Sequence, residues 1–348
     1  MEDKKGNQVI EEDLEFISQA SLPWNLLEGK NILISGANGF LPSYLVKTIL
    51  FLNEHKFKKQ AKVFAMDMSN SRLVAYANRR DLVFINQDIC QPINIEGKID
   101  FIIHAASKAS PKFFGQDPVG TLSANVFGTK NLLELAAEKK VESFLFFSSG
   151  EIYGQILSGD SQVREDAYGH VDTTNVRSCY AESKRMGETM CVSWLHQYGV
   201  PAKIVRPFHT YGPGINLDDG RVFADFISDI VNNRNIVMKS DGKAIRSFCY
   251  IADATVGFFT ILLKGENGQA YNLSNNLAEV SILELANLLV KTFPEKNLTV
   301  ERKDNGNSEY LKSEINKCSP DVSKIKGLGW QPKYSLEEGF KRAVESFK

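Results

Sequence analysis

A short apolar run, followed at once by a glycine-containing turn and a helical pattern, constrains the fold of this chain most. Residues 31–35, Asn-Ile-Leu-Ile-Ser, are typical of a buried parallel strand, and the helical pattern covers Tyr44–Leu52. Glycines allow close backbone approach to a diphosphate, and a helix N-terminus offers free N–H groups. The order predicts a dinucleotide-binding site, with a glycine turn without function as the alternative. Its predicted contacts are Gly36, Asn38, Gly39, Phe40 and Leu41.

Position 42 departs from the full glycine spacing of such turns. Pro42 stands where G-x-x-G-x-x-G would place a third glycine. A proline is tolerated in the first helical turn, because an N–H there has no partner within the helix. The missing N–H and the missing small residue are expected to alter the fit of the cofactor.

The next strand, Lys62–Asp67, ends in a carboxylate. An acid at that point accepts hydrogen bonds from ribose hydroxyls and repels a 2′-phosphate, so the sequence favours NAD over NADP. Arg72 follows shortly after and leaves NADP open as an alternative.

Two further strands supply the rest of the predicted cofactor site. Leu82–Asn86 is followed by Asp88 and Ile89, which are placed to meet an adenine amine. Asp100–His104 ends at Ala105-Ala106-Ser107, and these small residues would let the chain pass beneath the cofactor. Tight packing explains the small residues equally well.

Strands and helices alternate along most of the chain, which predicts an α/β fold with a doubly wound parallel (Rossmann) sheet. The later elements are a helix at 118–139, a strand at 142–148, a helix at 180–198 and a strand at 202–206. After Pro207 the pattern becomes turn-rich, which indicates a smaller C-terminal substrate-binding region. We therefore predict an N-terminal extension (1–29), a Rossmann domain (30–207, joined again by about 243–273) and a substrate region (208–242 and 274–348). A short helix at 11–21 is expected to be a packing extension or an oligomer contact.

The chemistry is predicted from the segment Tyr180-Ala-Glu-Ser-Lys184. A tyrosine and a lysine four residues apart share one helix face, where the ammonium can lower the phenol pKa. Such a phenolate takes a proton from a sugar hydroxyl while a nicotinamide takes the hydride. Ser149 and Glu151 follow the strand at 142–148, at the sheet edge where open parallel sheets bind ligands. A Tyr-x-x-x-Lys motif that stands alone also fits a Tyr–Lys pair on the protein surface, which is the alternative interpretation.

Composition excludes several other classes of protein. The net charge of -1 gives no basic field for nucleic acid. The five cysteines include no C-x-x-C pair, which favours reduced thiols in the cytoplasm, and the five histidines show no metal-ligand spacing. The charged N-terminus is unlike a signal peptide, and no apolar run reaches the ~18 residues of a membrane span. We expect no metal, no nucleic acid and no membrane.

From about residue 30 onward the chain resembles the extended short-chain dehydrogenase/reductase (NAD-dependent epimerase/dehydratase) superfamily of nucleotide-sugar enzymes. Within it, the chain is most similar to the UDP-glucuronate decarboxylases (UDP-xylose synthases). Five separated segments carry the resemblance: 109–122, 165–171, 177–191, 217–222 and 246–253.

The resemblance implies a role for each matching residue. Tyr180 would remove the C4 hydroxyl proton, with Lys184 lowering its pKa and holding the nicotinamide ribose. Ser149 would bind the same hydroxyl, and Glu151 would act as an acid/base or orienting group near C5 and C6. Arg246 would touch the charged end of the substrate and Arg221 the uridine or diphosphate. Lys108, Arg206 and His209 complete the predicted substrate contacts. Bound NAD would be recycled internally, and helices at about 118–138 and 180–197 would form a homodimer.

One departure from the decarboxylase pattern keeps other activities open. Those enzymes usually carry Thr-Ser-Glu where this chain has Ser149-Gly150-Glu151, so a hydroxyl expected near the substrate carboxylate is missing. A 4-epimerase needs no group at 150, and a 4,6-dehydratase commonly places an acid there. A catalytically silent NAD-binding regulator is a further alternative. Structural ion pairs are the alternatives for Glu151, Arg221 and Arg246.

Overall fold

The fold is described from a computed structural model, which covers residues 4–156, 162–303 and 317–347. Its centre is a seven-stranded parallel sheet with the strand order β10-β6-β5-β4-β1-β2-β3. The strands are β1 (Asn31–Ser35), β2 (Lys62–Asp67), β3 (Leu82–Asn86), β4 (Phe101–His104), β5 (Ser143–Phe147), β6 (Ala202–Pro207) and β10 (Ala270–Leu273). The predicted doubly wound parallel sheet is confirmed.

Helices cover both faces of this sheet. The helices are α1 (Lys4–Ser18), α2 (Phe40–His55), α3 (Lys112–Gln116), α4 (Pro118–Lys139), α5 (Ser178–Tyr198), α6 (Val222–Val231), α7 (Ile251–Lys264), α8 (Ile282–Thr292), α9 (Ser323–Gly327) and α10 (Leu336–Glu345). Neighbouring strand residues point to opposite faces, so Ile32 and Ile34 join the core under α2 and α7. Leu33 joins a second core under α4 and α5.

A smaller, four-stranded sheet is formed by strands that follow β6 in the chain. β9 (Ile245–Tyr250) pairs with β7 (His209–Tyr211), β11 (Glu279–Ser281) and β13 (Lys317–Cys318). A separate parallel pair joins β8 (Ile236–Met238) to β12 (Val300–Arg302). β9 belongs to this smaller sheet, and α7 follows it at Ile251 and packs on β5 and β6 of the large sheet. No local sequence pattern predicts the pairing of β9, because its partner strands have only two or three residues.

The N-terminal helix is part of the core. α1 begins at Lys4, earlier than the predicted residue 11, and buries Leu14 and Ile17. Its fully buried Asp13 accepts hydrogen bonds from Tyr44 Oη (3.1 Å), Tyr250 Oη (2.8 Å) and Arg342 Nη2 (2.9 Å). Burial raises the pKa of Asp13 to about 6, although Arg342 acts to lower it. The helix therefore joins α2, the start of α7 and α10 through one buried carboxylate.

The described ranges contain neither a membrane-spanning helix nor a metal cluster. None of the helices there is both long enough and apolar enough to cross a bilayer. The same ranges hold no group of three or more His, Cys, Asp or Glu side chains arranged to bind a metal ion.

Candidate active site

The glycine turn after β1 lies directly against the chain that follows β4. Gly36 has a φ of +67°, and a Cβ built on it would lie 2.6 Å from the Cα of Ala106. A side chain at position 36 would therefore meet backbone, in a conformation that glycine adopts without strain. This packing brings together two of the predicted cofactor segments, 36–41 and 105–107.

Asp67 binds the same turn. Its Oδ2 accepts from the backbone N–H of Asn38 (3.0 Å) and its Oδ1 from that of Ser69 (3.2 Å). The Asn38 side chain in turn donates to Ser69 Oγ (2.7 Å). The carboxylate at the end of β2 is thus held beside the first turn of α2, where ribose recognition requires it.

The residues present fit a bound dinucleotide. α2 begins after Gly39 without a side-chain cap, which leaves its N-terminal amides and dipole for a diphosphate. Pro42 occupies the third helical position, so its missing N–H breaks no bond of the helix. Beyond the end of β4, the buried Ser107 Oγ has no hydrogen-bond partner in the part of the chain that the structure describes. Ile89 is buried, whereas Asp88 is exposed and accepts from the N–H of Cys90 (2.9 Å).

Ser149, Tyr180 and Lys184 are brought together by β5 and α5. Ser149 follows β5 and precedes a short 3₁₀ turn at Gly150–Tyr153. Its hydroxyl accepts from the Glu151 N–H (3.1 Å) and lies close enough to the Tyr180 phenol to act to lower the pKa of that phenol. One turn along α5, Lys184 Nζ donates to the carbonyl of Phe147 (2.6 Å) and lies 5.8 Å from the centre of the Tyr180 ring. All three side chains are buried.

Burial shifts the titratable groups of this cluster towards their neutral forms. Burial raises the pKa of Tyr180 to about 12, and only Ser149 and Arg221 act to lower it. Burial lowers the pKa of Lys184 to about 7. The desolvation that suppresses the phenolate also suppresses the ammonium. The role of Lys184 in lowering the phenol pKa stays a prediction.

Glu151 is held by a residue to which the sequence assigned no role. Its Oε2 forms an ion pair with Nη1 of Arg177, at 2.9 Å. The Arg177 guanidinium lies 5.8 Å from the centre of the Phe114 ring, which stacks on Tyr180 with the ring centres 4.9 Å apart. Arg177 stands three residues before Tyr180, within the segment 177–191 that resembles the decarboxylases. The resemblance therefore included Arg177, although no role was predicted for it.

The space beside Gly150 is filled by an aromatic ring. A Cβ at position 150 would lie 2.7 Å from Cε1 of Phe208 and 2.8 Å from its Cδ1. Phe208 is itself buried and packs with Ile152 and Tyr153. A carbon ring thus replaces the hydroxyl that the resemblance would place beside Glu151.

Three predicted substrate residues approach the site from the smaller region. His209 opens β7, and burial, followed by the charges of Arg246 and Arg221, lowers its pKa to about 3. Its Nδ1 is buried and has no hydrogen-bond partner among the described residues. Arg221 lies 2.7 Å from Asp219 Oδ2, and Arg246 Nη1 donates to its neighbouring carbonyl at Ile245 (2.8 Å). Two cations therefore flank a neutral imidazole.

Arg206 and Lys108 have partners elsewhere in the protein. The buried Arg206 donates to both oxygens of Glu188 (2.9 and 2.7 Å) and to Tyr153 Oη (2.7 Å). These bonds explain its burial, and its place among the substrate contacts stays a prediction. Lys108 forms an ion pair with Asp117, the residue that caps α4.

The loop at residues 212–221 is attached to two segments of the large domain, the loop that follows β2 and the stretch at 110–112 where α3 begins. Arg72 Nη1 donates to the carbonyl of Gly214. Ser110 Oγ donates to the carbonyl of Asp219 (2.5 Å), and Lys112 Nζ binds Asp218 Oδ2 (2.9 Å). We call this segment the crossing loop. It joins the cofactor half of the site to the half that carries Arg221.

A groove of about 570 Å³ lies away from these residues, between α6 and the β8–β12 pair. Its lining includes Asp225, Arg234 and Glu301, and none of the predicted site residues. We assign it no part in the chemistry.

Comparison with known proteins gives matches over most of the chain. The model of the NAD dependent epimerase/dehydratase family matches residues 32–274. UDP-glucuronic acid decarboxylase 3 of Arabidopsis thaliana is 34% identical over 319 residues, which cover 91% of this chain and 89% of that protein.

Solved structures agree on the fold. UDP-glucose 4-epimerase of Thermotoga maritima, solved with UDP-glucose, has a TM-score of 0.75 and 25% identity, covering 91% of this chain and 98% of that one. UDP-glucuronic acid 4-epimerase of Bacillus cereus, solved with UDP-glucuronic acid and NAD, has a TM-score of 0.77 and 24% identity, with the same coverage. The fold is common to enzymes with different names, so it does not by itself select a reaction.

Proposed function

The chain belongs to the NAD dependent epimerase/dehydratase family, and from that premise we propose that it is a UDP-glucuronate decarboxylase. It is an NAD-dependent enzyme with the Rossmann fold of that family. The observation that carries the choice of reaction is the 34% identity to a UDP-glucuronic acid decarboxylase over 91% of the chain. The cluster of Ser149, Tyr180 and Lys184 supplies the groups that the first step requires.

The first step would occur at C4 of the sugar. NAD supplies a hydride acceptor when bound and returns the hydride later, so the reaction has no net redox change. Ser149 Oγ orients the C4 hydroxyl and Tyr180 Oη takes its proton. Lys184 lies one helical turn away and favours the phenolate whenever its ammonium is protonated.

Carbon dioxide would then leave from C5. A carboxylate on C5 is β to the new C4 ketone, so the electrons of the broken bond form an enolate. Glu151 lies beside Ser149 and acts near C5, where a proton replaces the carbon dioxide. Arg246 and Arg221 hold the charged parts of the substrate. The residues of this chain contribute positioning and fixed charges.

A UDP-sugar 4-epimerase is the second candidate, and position 150 favours it. Gly150 and the Phe208 ring give the site an apolar wall where the decarboxylases place a hydroxyl. Epimerisation needs no group there, since it requires proton and hydride transfer at C4 and room for the ketose to turn. A 4,6-dehydratase has less support, because Gly150 offers no acid to protonate the departing hydroxyl.

The test is to incubate the purified protein and NAD with UDP-glucuronate and follow the mass of the product. We expect loss of carbon dioxide. An unchanged mass with a new configuration at C4 would identify an epimerase. No reaction, together with loss of water from a nucleotide hexose, would identify a dehydratase. No turnover of any of these sugars, with NAD still bound, would favour a silent regulator.

We also propose that the protein is a homodimer formed through α4 and α5. Exposed apolar side chains on these two helices support the proposal: Val119, Leu122 and Phe127 on α4, and Met186, Val192 and Tyr198 on α5. Burying such side chains between two copies is favourable by roughly 25 cal/mol per Å². Light scattering should give twice the 38.9 kDa of the chain, and a mass near 38.9 kDa at working concentration would contradict the proposal.

A cytoplasmic location is proposed from cysteine usage. The five cysteines are scattered, and Cys90, Cys179, Cys191 and Cys249 are free thiols in the structure. Reduced thiols are typical of the cytosol. Fractionation of cells that express the tagged chain would test the location.

A further inference from the structure

The ion pair between Glu151 and Arg177 is built into the edge of the active site. The side chains are 28% and 18% exposed, whereas those of the Arg164–Asp166 pair in the same loop are 72% exposed for the acid and 69% for the base. An exposed pair contributes little, because water screens it and both side chains lose freedom. Water screens the enclosed Glu151–Arg177 pair less, so the attraction between the two charges is stronger and holds the two side chains together.

Arg177 is itself held in place where α5 begins. Its backbone N–H donates to Asn175 Oδ1 (2.9 Å), and the neighbouring Ser178 Oγ donates to the carbonyl of Asp172 (2.5 Å). Its guanidinium lies over Phe114, whose ring stacks on Tyr180. Arg177 therefore links Glu151, its ion-pair partner, to the Phe114 ring that stacks on Tyr180.

A small cavity opens beside this pair. Its volume is about 70 Å³, and Glu151, Arg177, His170, Asn175 and Ala181 are among the residues that line it. About 10–15 Å³ of space open to the centre of a water-sized sphere is enough to hold one water molecule. The cavity therefore has room for several waters or for a group the size of a carboxylate.

The chemistry of an acidic sugar makes this arrangement useful. A sugar whose C4 hydroxyl lies at Ser149 and Tyr180 carries its C6 carboxylate on the adjacent carbon, C5. Glu151 is near enough to the phenol to raise its pKa by charge, so a carboxylate on C5 would come close to Glu151. Two like charges in a partly enclosed site repel each other.

We propose that Arg177 is a positioning residue that fixes Glu151 and cancels its charge, so that the site accepts a nucleotide sugar with a C5 carboxylate. The inference rests on the proposed function, since it concerns the acidic-sugar specificity of that same site. Arg177 acts through Glu151, and its expected effect is on acidic sugars rather than on UDP-sugars in general.

The test is a binding cycle on the NAD-loaded protein, with UDP-glucuronate as the acidic ligand and UDP-xylose as the neutral one. We expect Arg177→Met to weaken UDP-glucuronate binding by about tenfold or more and UDP-xylose binding by less than twofold. In an E151Q background, adding Arg177→Met should change UDP-glucuronate binding by less than threefold. Arg164→Met, in the exposed pair of the same loop, is the matched control and should leave both affinities unchanged.

Two results would overturn the inference. If Arg177→Met lowers the affinity for both sugars equally, Arg177 is merely structural. If Arg177→Met still lowers the affinity for UDP-glucuronate in the E151Q background, Arg177 does not act through Glu151. If Arg177→Met does not fold, Arg177→Lys and E151Q decide: each should bind UDP-glucuronate within threefold of the wild type, and a tenfold loss in either contradicts the inference.

The outcome of this test separates the two proposals. Wild-type protein that binds UDP-glucuronate without releasing carbon dioxide would overturn the decarboxylase proposal alone, since the binding cycle still measures the role of Arg177. Wild-type protein that binds UDP-xylose but not UDP-glucuronate would overturn both.

Discussion

Tyr180 and Lys184 are both driven towards their neutral forms in the protein alone. Burial raises the pKa of the phenol to about 12 and lowers that of the ammonium to about 7. At neutral pH the phenol keeps its proton, while the lysine is partly protonated. Lys184 Nζ lies 5.8 Å from the centre of the phenol ring, and its protonated form would favour the phenolate that the proposed first step requires.

We expect Tyr180→Phe to lower kcat by about 10²–10⁴-fold, because the substitution removes the proton acceptor. Its free energy of unfolding should change by only about 1 kcal/mol, the usual contribution of one hydrogen bond. Steady-state kinetics and urea unfolding would measure both. Tyr198→Phe, on the exposed end of the same helix, should leave kcat unchanged. Retention of a tenth of the wild-type kcat by Tyr180→Phe would rule out the assigned role.

Gly150→Ser should destabilise the protein, because its Cβ would meet the Phe208 ring at 2.7 Å. Overpacking of this kind costs about 1–3 kcal/mol. A smaller side chain at 208 makes room, so the G150S/F208L double variant should be more stable than the sum of the single effects indicates. Urea unfolding of the four proteins measures the coupling. Strictly additive effects would show that the two positions do not share this space.

The sequence predicted the residues of this site that follow strand ends or helical spacing. Asp67 and Ser149 follow parallel strands, and Tyr180 and Lys184 share a helix face, so local pattern was enough to find them. Arg177 and Phe208 act through contacts with distant positions: Arg177 meets Glu151 across 26 residues. No local pattern encodes such a contact, which explains why their roles became visible only in the structure.

At the scale of elements, α1 does more than extend the chain. Its buried face packs on the core formed by α2, α7 and α10, and its Asp13 binds Tyr44 of α2, Tyr250 at the end of β9 and Arg342 of α10. A buried carboxylate of this kind is stabilising only while its partners are in place. The prediction of a packing extension agrees with this placement, but no sequence pattern predicted a buried acid.

We expect Asp13→Ala to lower the free energy of unfolding by about 3–5 kcal/mol, because it leaves the Arg342 guanidinium without its buried carboxylate. Glu11→Gln, at an exposed position of the same helix, is the control and should change it by less than about 0.5 kcal/mol. Urea denaturation would measure both variants. Equal stabilities of the two would show that the network contributes nothing.

Most of the strands that the sequence missed are short. The seven strands of the large sheet have four to six residues and are mostly apolar, and the six that lie before residue 208 were expected. β7, β8, β11, β12 and β13 have two or three residues, too few for an alternating pattern to be recognised. β7, β11 and β13 pair with β9, and β12 pairs with β8. The partners are far apart in the sequence, so a short stretch of sequence does not contain both of them.

At the scale of the whole molecule, buried lysines give stability a pH dependence. Burial lowers the pKa of Lys47 and of Lys203 to about 8, and that of Lys184 to about 7. In the unfolded chain these groups hold their protons up to about pH 10.4. Between pH 7.5 and 8.5 the unfolded state therefore binds more protons, and the free energy of unfolding should rise with pH.

Urea unfolding of the NAD-free protein at pH 7.5, 8.0 and 8.5 would test this direction. Lys203→Met, which removes a buried lysine outside the active site, should give a smaller rise than the wild type. Lys58→Met, at an exposed position, should keep the wild-type slope. A free energy that falls over this range, or identical slopes for all three proteins, would contradict the assignment.

The bond between Asp13 and Arg342 also dictates when the chain can finish folding. The two residues are 329 positions apart, so a ribosome working at about 5–20 residues per second makes the second on the order of half a minute after the first. Throughout that interval the first helix exists without the cation that neutralises its carboxylate. The Rossmann strands can assemble as they emerge, but the first helix can dock fully only after Arg342 has been made. Nascent chains of this protein are therefore left with an apolar helix face that chaperones can bind.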